Sequence, residues 1–397
     1  MADGIGTELE ITEKDLRQWD LLKAFRQALV QRIKPSELHA SWSDPRRHNS
    51  YVDYLSTLLF ALLNPTLKTM RALSQASQLG RVQREVSGGS ISLGSFSEAQ
   101  HLLDPDLLER VLGDLVEQVE REPGSNLGQA WQGWFARDSS LFAALPRMSW
   151  ALYGGGQAGA INNAVRLHLS LHLLEDKPVR AQMTAGKVCE RKAWKQTWEK
   201  GAAYVGDRYF GENHRLLGEL EQAGCRYVLR LRDESLIEVL EELVVSQADK
   251  AQRVQRQAWV RLGCRQRRSV KVRVVWIGLA DGSTLRLVTN VPPTELSAAE
   301  VGLLYRRRWQ IECFFRWLKC LLGCRHWLAE SHQGVTLQLY LALIAAVLFQ
   351  LHTGRRPNKR MLELFQLHQQ GWATTEELIS GLQREQEREA KRKAKYS

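Results

Sequence analysis

The amino-acid sequence predicts an α/β fold with helical regions on both sides of a mixed core. Strand-like and helix-like segments alternate from about residue 131 to 231, and this alternation is typical of a sheet covered by helices. Before and after this part, apolar residues recur at the three- and four-residue spacing of amphipathic helices. The chain has 397 residues, enough for about two or three structural units.

The first region, residues 1–125, is predicted to be helical and DNA-binding. Apolar spacing indicates helices at 16–32, 51–63 and 104–120. Residues 67–86 have a small and polar centre that fits the turn of a DNA-binding helix-turn-helix, although two ordinary packed helices fit it equally well. The segment 120–129 contains proline and glycine, and it marks the expected boundary with the core.

Residues 126–248 are predicted to form the first part of the core. Apolar and polar residues alternate from 164 to 173, which is the period of a strand. The polar face of this strand would carry Arg166, His168, Ser170 and His172. We interpret its two histidines as strand residues and not as metal ligands, because no third ligand has a suitable spacing. Residues 202–206 are apolar or small and predict a buried central strand that ends at Asp207.

Charge is a further strong observation. The formal net charge of +11 attracts polyanions, of which nucleic acid is the commonest. The stretch 251–280 has no acidic residue and eight basic ones: Arg253, Arg256, Arg261, Arg265, Arg267, Arg268, Lys271 and Arg273. An ordinary solvated strand face mixes both signs, so this stretch favours a phosphate-contacting surface. We assign it to a basic β-rich insertion at residues 249–292, with a hairpin turn at 280–283.

The remaining residues are predicted to be helical. Residues 293–332 complete the core, 333–382 form a C-terminal helical region and 383–397 form a charged tail. The apolar run 337–351 is shorter than the roughly 20 residues that span a bilayer, and we interpret it as a buried helix. The N-terminus lacks the basic start and apolar stretch of an export signal. We therefore expect a cytoplasmic protein with no membrane partner.

The most specific motif lies on a helix predicted between Ser297 and Gly323, which carry a capping-box start and a glycine stop. Trp309 and Trp317 on this helix are predicted to be core residues. At 100° per residue, four other side chains fall within about 60° of one another: Tyr305, Arg308, Glu312 and Lys319. Residue types alone fit a surface stripe of ion pairs equally well.

The spacing of these four residues resembles the Tyr-Arg-Glu-Lys (YREK) signature of bacterial insertion-sequence transposases of the DDE superfamily. The resemblance extends over most of the predicted core, since the first aspartate of that group follows an early strand and the second ends a buried strand. It implies an RNase-H-like catalytic core in which Asp138, Asp207 and Glu312 are the catalytic residues and the metal ligands. The N-terminal helical region matches only in general character.

The resemblance also implies a cofactor and partners. Three carboxylates suit two Mg²⁺ ions, with Mn²⁺ as a substitute, that activate a nucleophile and stabilise a leaving oxygen. Tyr305, Arg308 and Lys319 would bind a phosphate near the transposon end. The implied partners are double-stranded DNA, as transposon ends and as target, and a second copy of the chain in a homodimer at the bacterial nucleoid.

The implied reaction is cut-and-paste transposition, in which metal-dependent strand cleavage is followed by strand transfer. Two alternatives stay open on the sequence. One is a DNA-binding protein without catalysis that derives from a transposase, and the other is an RNase-H-like nuclease that never joins strands. Retention of all three carboxylates argues against the first, and the Tyr305, Arg308 and Lys319 stripe favours transposition over simple cleavage.

Some details differ from the group or stay open. Trp259 and Trp276 are both candidates for stacking on a flipped base, and a buried hairpin tryptophan is the simpler interpretation of either. Asp207 is followed by Arg208, where many relatives have a small residue. Asp138 is followed by Ser139, where glycine is frequent. Both differences could alter the local loop shape without removing a ligand.

Overall fold

A computed structural model describes residues 18–119, 131–155, 161–263, 270–323, 327–354 and 356–396. Its N-terminal part is helical, as predicted. The helices are α1 (Gln18–Arg32), α2 (Tyr51–Leu63), α3 (Met70–Ala76), α4 (Gly80–Val82), α5 (Leu93–Leu102) and α6 (Pro105–Gln118). Polar side chains start several of them, as in the capping box that Ser50 and Asp53 form at α2. The expected boundary at 120–129 lies outside the described residues.

The segment considered for a helix-turn-helix is short and irregular. It contains the seven residues of α3 and the three residues of α4, which continues into a π-helical turn at Gln83–Ser87. A recognition helix has to reach several bases in the major groove. Because only one turn of α4 is a regular α-helix before the π-helical turn begins, the segment fits the alternative of ordinary packed helices better.

The sheet contains ten strands among the described residues. They are β1 (Trp134–Ala143), β2 (Leu152–Gly155), β3 (Ile161–His172), β4 (Pro178–Ala185), β5 (Ala203–Gly206), β6 (Arg226–Arg230), β7 (Ile237–Leu243), β8 (Val254–Leu262), β9 (Val270–Gly278) and β10 (Thr284–Thr289). The strand order is β2-β3-β1-β5-β6-β10-β9-β8-β7, and β4 also pairs with β3. The connecting helices are α7 (Glu190–Lys195), α8 (Arg208–Gly211), α9 (His214–Gln222) and α10 (Gln247–Ala251).

The first half of the sheet has the topology of an RNase-H-like core. Strands β1, β3 and β4 pair antiparallel, and β5 and β6 then run parallel to β1. Helices α8 and α9 make the crossover that a parallel pair of strands requires. The predicted fold class, a mixed α/β core with a β-rich insertion and helical flanks, is confirmed.

The inserted half of the sheet is an antiparallel meander that joins the core where β10 pairs with β6. The predicted hairpin turn is present, because Leu279 and Ser283 close it between β9 and β10. The meander also includes β7, which starts at Ile237, ahead of the boundary expected at residue 249. Sequence reasoning missed β7 because its exposed, glutamate-rich pattern does not show the alternation of a half-buried strand.

Strand β7 also changes the interpretation of the basic stretch. Arg256 forms an ion pair with Glu242, and Arg261 forms one with Glu238, both across the β7–β8 pair. Counting charges along residues 251–280 misses these acids because they belong to the neighbouring strand. Arg265, Arg267 and Arg268 lie outside the described residues. The phosphate-contacting role of this surface stays a prediction, with fewer free cations than the sequence suggests.

The C-terminal part forms α11 (Ala298–Arg307), α12 (Trp309–Leu321), α13 (His332–Thr353), α14 (Lys359–Gln369) and α15 (Thr375–Tyr396). Helix α13 packs against α1, α2 and α6. Among the described helices it alone is long and apolar enough to cross a membrane, and 89% of its most apolar window is buried within the protein. The apolar run at 337–351 is therefore a core helix, as predicted, and it joins the two helical ends of the chain.

Candidate active site

The parallel pairing of β1 and β5 brings two of the three predicted carboxylates together. The register pairs Ala136 of β1 with Val205 of β5. Continued by two residues, the same register places Asp138 beside Asp207. The two aspartates, 69 residues apart in the sequence, thus meet at one edge of the parallel strands, where open α/β sheets commonly carry their sites.

The two aspartates differ in their local backbone. Asp207 lies directly after β5, as predicted, and caps α8 by accepting a hydrogen bond from the backbone N–H of Tyr209 at 2.9 Å. Asp138 lies inside β1, which continues to Ala143 because this half of the strand pairs with β3. The expectation that Asp138 follows its strand was wrong.

The Asp138 carboxyl group is enclosed, and its side chain is 19% exposed. Its Oδ1 accepts a hydrogen bond from the backbone N–H of Ser139 at 2.7 Å. Burial raises the pKa of Asp138 to about 7, and the nearby charges of Asp207 and Glu190 add to this rise, against the Ser139 hydrogen bond and the charge of Arg308. The site concentrates negative charge, so the deprotonated form of Asp138 needs a cation nearby.

The third carboxylate reaches the site on a helix that is interrupted. A capping box at Ser297 starts α11, and Gly323, with a φ of 65°, ends α12, both as predicted. The predicted single helix is nevertheless divided at Arg308, whose N–H contacts the carbonyl oxygens of both Leu304 and Tyr305. Helix α12 then packs on β1, which directs Glu312, one turn into it, toward Asp138.

Arg308 connects the two carboxylates. Its Nη2 donates to Glu312 Oε1 at 2.6 Å, and its Nη1 lies 3.5 Å from Asp138 Oδ2. The guanidinium carbon lies 5.6 Å from the centroid of the Tyr305 ring, and burial raises the pKa of that tyrosine. Tyr305, Arg308 and Glu312 therefore lie together, as their spacing on the helix predicted, and Arg308 links Glu312 to Asp138. The functional roles of these residues stay predictions.

The side chain of Lys319, on α12, lies beside a later part of β1. Its Nζ is 5.5 Å from the centroid of the Phe142 ring, one residue before the end of that strand. The two tryptophans of α12 have different environments. Trp317 is buried, as predicted, whereas Trp309 is 50% exposed and stacks with Arg316. Trp309 and Arg316 share the solvent-facing side of α12, so the prediction that Trp309 is a core residue was wrong.

The candidates for base stacking also differ in exposure. Trp276 is buried and has Arg256 over its ring, which matches the simpler interpretation of a buried hairpin tryptophan. Trp259 is half-buried, and Lys271 Nζ lies 5.6 Å from the centroid of its ring. Of the two, Trp259 offers more accessible surface to a base.

Sequence reasoning missed a second charged group behind Asp138. Arg166 donates to the Ser139 hydroxyl at 2.9 Å and lies 3.6 Å from a carboxylate oxygen of Glu190. Burial raises the pKa of Glu190, and hydrogen bonding from Ser139 and the charge of Arg166 oppose the rise. The strand alternation had placed Arg166 on the polar face of β3, but no local pattern distinguished Glu190.

The donor chemistry of Asp138, Asp207 and Glu312 fits Mg²⁺, which prefers hard carboxylate oxygens. Within the described ranges, no three His, Cys, Asp or Glu side chains converge closely enough to hold an ion as they stand. The guanidinium of Arg308 lies between two of the carboxylates. Glu312 and Arg308 would therefore have to separate before all three carboxylates could share a cation.

The sequence of this chain is similar to those of several known proteins that are named as transposases. A protein named as a transposase for insertion sequence element IS5377 of Geobacillus stearothermophilus is 28% identical over 245 residues, which cover 61% of this chain and 62% of that protein. The transposase y4zB of Sinorhizobium fredii is 30% identical over 38% of this chain and 43% of that protein. A transposase for insertion sequence element IS4SA of Synechocystis is 22% identical over 75% of this chain and 80% of that protein.

The chain thus spans about three fifths of the length of the first of these relatives and two fifths of the second. Among solved structures, the piggyBac transposase synaptic complex with hairpin DNA overlaps 93% of this chain and 78% of that chain, with 10% identity and a TM-score of 0.41. The family described as Transposase DDE domain matches residues 135–348. This match covers more than half of the sequence and includes every residue of the candidate site, and the chain therefore belongs to the family of proteins with a Transposase DDE domain.

Proposed function

We propose that this chain cleaves and joins DNA strands with Asp138, Asp207 and Glu312 as its metal-binding carboxylates. The proposal is supported by the β1–β5 register, which pairs residues two positions before Asp138 and Asp207, and by the Arg308 bridge from Asp138 to Glu312. Two Mg²⁺ ions, or Mn²⁺ in their place, would supply nucleophile activation and leaving-group stabilisation. The three side chains come from different elements, so no element alone can form the site.

The neighbouring side chains have roles that follow from their positions. Arg308, with a planar guanidinium, suits bidentate binding of a phosphate, and Lys319 supplies a point charge farther along β1. Tyr305 packs beside Arg308 and limits its freedom. When Arg308 moves from the carboxylates to a DNA phosphate, Glu312 becomes free to bind a cation. Substrate binding would in this way complete the metal site.

The proposed substrate is double-stranded DNA, first the inverted ends of the mobile element and then the target. Cleavage at an end frees a 3′-hydroxyl, which attacks the target phosphodiester in line. A homodimer would hold the two ends. The net charge of +11 supports a polyanionic substrate, and the proposed location is the cytoplasm at the nucleoid.

The test is cleavage of a labelled duplex that carries the terminus of the element, with and without Mg²⁺. We expect wild-type protein to cut only with metal, and Glu312→Gln to bind the duplex without cutting it. Glu363→Gln, on the surface of α14 and paired with Lys359, is the matched control and should cut normally. If wild type and both variants bind the duplex and none of them cuts it, the result would favour the alternative of a DNA-binding protein without catalysis. Cleavage without any strand-transfer product would favour the nuclease.

A further inference from the structure

We infer that Glu190 and Arg166 are positioning residues that hold Ser139 and, through it, the Asp138 carboxylate. This inference rests on the proposed function, because it concerns how one proposed metal ligand is aimed. It also gives a role to Ser139, the residue that directly follows Asp138.

The contacts form a continuous chain from α7 to the carboxylate. Asp138 Oδ1 accepts the backbone N–H of Ser139 at 2.7 Å, and the hydroxyl of the same serine accepts Arg166 Nη1 at 2.9 Å. That Nη1 atom lies 3.6 Å from Glu190 Oε2. Ser139 is thus held on its side chain by two charged residues while its backbone holds Asp138. A glycine at this position would keep the backbone contact and lose the other.

Arg166 is itself anchored. Its Nε and Nη2 donate to the carbonyl oxygen of Gly186 at 3.3 and 3.2 Å. Gly186 has no space for a side chain, since a Cβ there would meet the Ala164 carbonyl oxygen at 2.9 Å. The guanidinium is therefore fixed between β3 and the turn that leads to Glu190, the first residue of α7. Its direction toward Ser139 follows from this anchoring.

The burial of this group argues for more than a structural role. The side chains of Arg166 and Glu190 are 18% and 15% exposed, and in the described structure Glu190 Oε1 is a buried oxygen without a hydrogen-bond partner. Leaving a buried carboxylate oxygen unpaired costs free energy. The two other ion pairs of α7, Arg191–Glu212 and Lys195–Glu219, are more exposed. A costly arrangement directly behind a proposed ligand is typical of functional sites.

The two carboxylate oxygens of Asp138 have different partners. Oδ1 is engaged by Ser139, and Oδ2 faces Arg308. Fixing Oδ1 sets the plane of the carboxylate, so Oδ2 stays directed toward the side from which Glu312 approaches. Residues that orient a ligating carboxylate in this way typically change metal affinity by about 10-fold or more when they are removed.

The test measures Mn²⁺ binding to the full-length chain by electron paramagnetic resonance in the presence of a saturating duplex that carries the terminus of the element, with Mn²⁺ bound by the duplex alone subtracted. Thermal unfolding is measured beside it, without metal and without DNA. We expect Glu190→Gln and Ser139→Ala each to weaken Mn²⁺ binding by about 10-fold. The double variant should be little worse than either single one, since both break the same chain of contacts. Glu219→Gln, which removes the ion pair at the last residue of α7, Lys195, is the matched control and should bind Mn²⁺ as wild type does.

The outcomes separate this inference from the proposed function. If wild type binds no Mn²⁺, or if Asp138→Ala binds it equally well, the proposed metal site fails and the inference fails with it. If Asp138→Ala alone loses binding, while Ser139→Ala and Glu190→Gln keep wild-type affinity, only the inference is overturned. A loss of thermal stability at unchanged affinity would show a purely structural role. Should Glu190→Gln fail to fold, the Ser139→Ala affinity decides.

Discussion

The two halves of the sheet differ in the surroundings of their charged side chains. In the core half, Asp138 and Asp207 are placed side by side, and burial raises the pKa of Asp138 to about 7. In the inserted half, charged groups have ready partners: Arg261 faces Glu238, and the buried Arg273 donates to neutral oxygens. In the core half, negatively charged side chains repel one another at the proposed active site. In the inserted half, charged side chains are stabilised by ion pairs and hydrogen bonds.

The largest effect in a test of this contrast is expected for the substitution Asp138→Asn, measured as the rate of DNA cleavage. Removing one metal-binding oxygen should lower the cleavage rate by at least about 10³-fold, which corresponds to roughly 4 kcal/mol of barrier. Metal-free stability should not fall, because the substitution removes a buried charge beside Asp207. A gel assay and thermal unfolding check the two parts. A variant that cuts normally would show that Asp138 is not part of the site.

The pH dependence of stability is expected to follow the same residue. The pKa of Asp138 is raised from 3.8 to about 7 in the folded chain, so the folded state keeps a proton that the unfolded state has lost. This proton favours folding most at low pH, and its contribution to stability declines as pH rises from about 4 to 7. Denaturant unfolding of the metal-free protein should show this decline, and Asp138→Asn should reduce it. Equal slopes for both proteins would contradict the raised pKa.

In the inserted half, the sharpest test is Arg273→Met. The Arg273 side chain donates to Gln257 Oε1 at 2.7 Å and to the Leu296 carbonyl oxygen at 2.6 Å. Methionine would leave these buried acceptors unpaired and should lower the free energy of unfolding by about 3 kcal/mol. Arg286→Met, on the neighbouring strand with a surface contact to Asp233, is the control. Equal losses for the two variants would show that Arg273 has no special structural role.

The smallest effect is expected at the sheet edge. Arg261 and Glu238 lie 3.0 Å apart, and both side chains are more than 40% exposed. Exposed pairs of this kind contribute less than about 1 kcal/mol. A double-mutant cycle with Arg261→Gln and Glu238→Gln should give a coupling in that range that shrinks with added salt. A larger coupling that salt does not change would mean that this edge is more enclosed than its exposure indicates.

Local patterns were sufficient for much of the fold. The alternation at β3, the buried run at β5 and the capping box before α11 each depend on neighbouring residues, and all three are present in the structure. The spacing that predicted the stripe of Tyr305, Arg308 and Glu312 is also local to one helical segment. These features could be predicted because a single element determines them.

The features that sequence reasoning missed depend on pairing between distant segments. Arg261 is paired by a strand that precedes the basic stretch, and Glu190 meets Arg166 and Ser139 only when α7 packs behind β1 and β3. The exposure of Trp309 follows from the face of α12 that packs on β1, which the periodicity did not determine. The carboxylate triad itself had to come from resemblance, since a single aspartate in a strand or turn carries no signal of its own.

The position of α13 has a consequence for the synthesis of the chain. This helix begins at residue 332 and packs against α1, which ends at residue 32. The apolar surface of the N-terminal helices that packs on α13 can therefore be covered only after about 300 further residues have been synthesised. At about 5–20 residues per second, that interval is roughly 15–60 s on the ribosome. A nascent chain exposes this apolar surface throughout that time, and both ends of the protein complete their folding together.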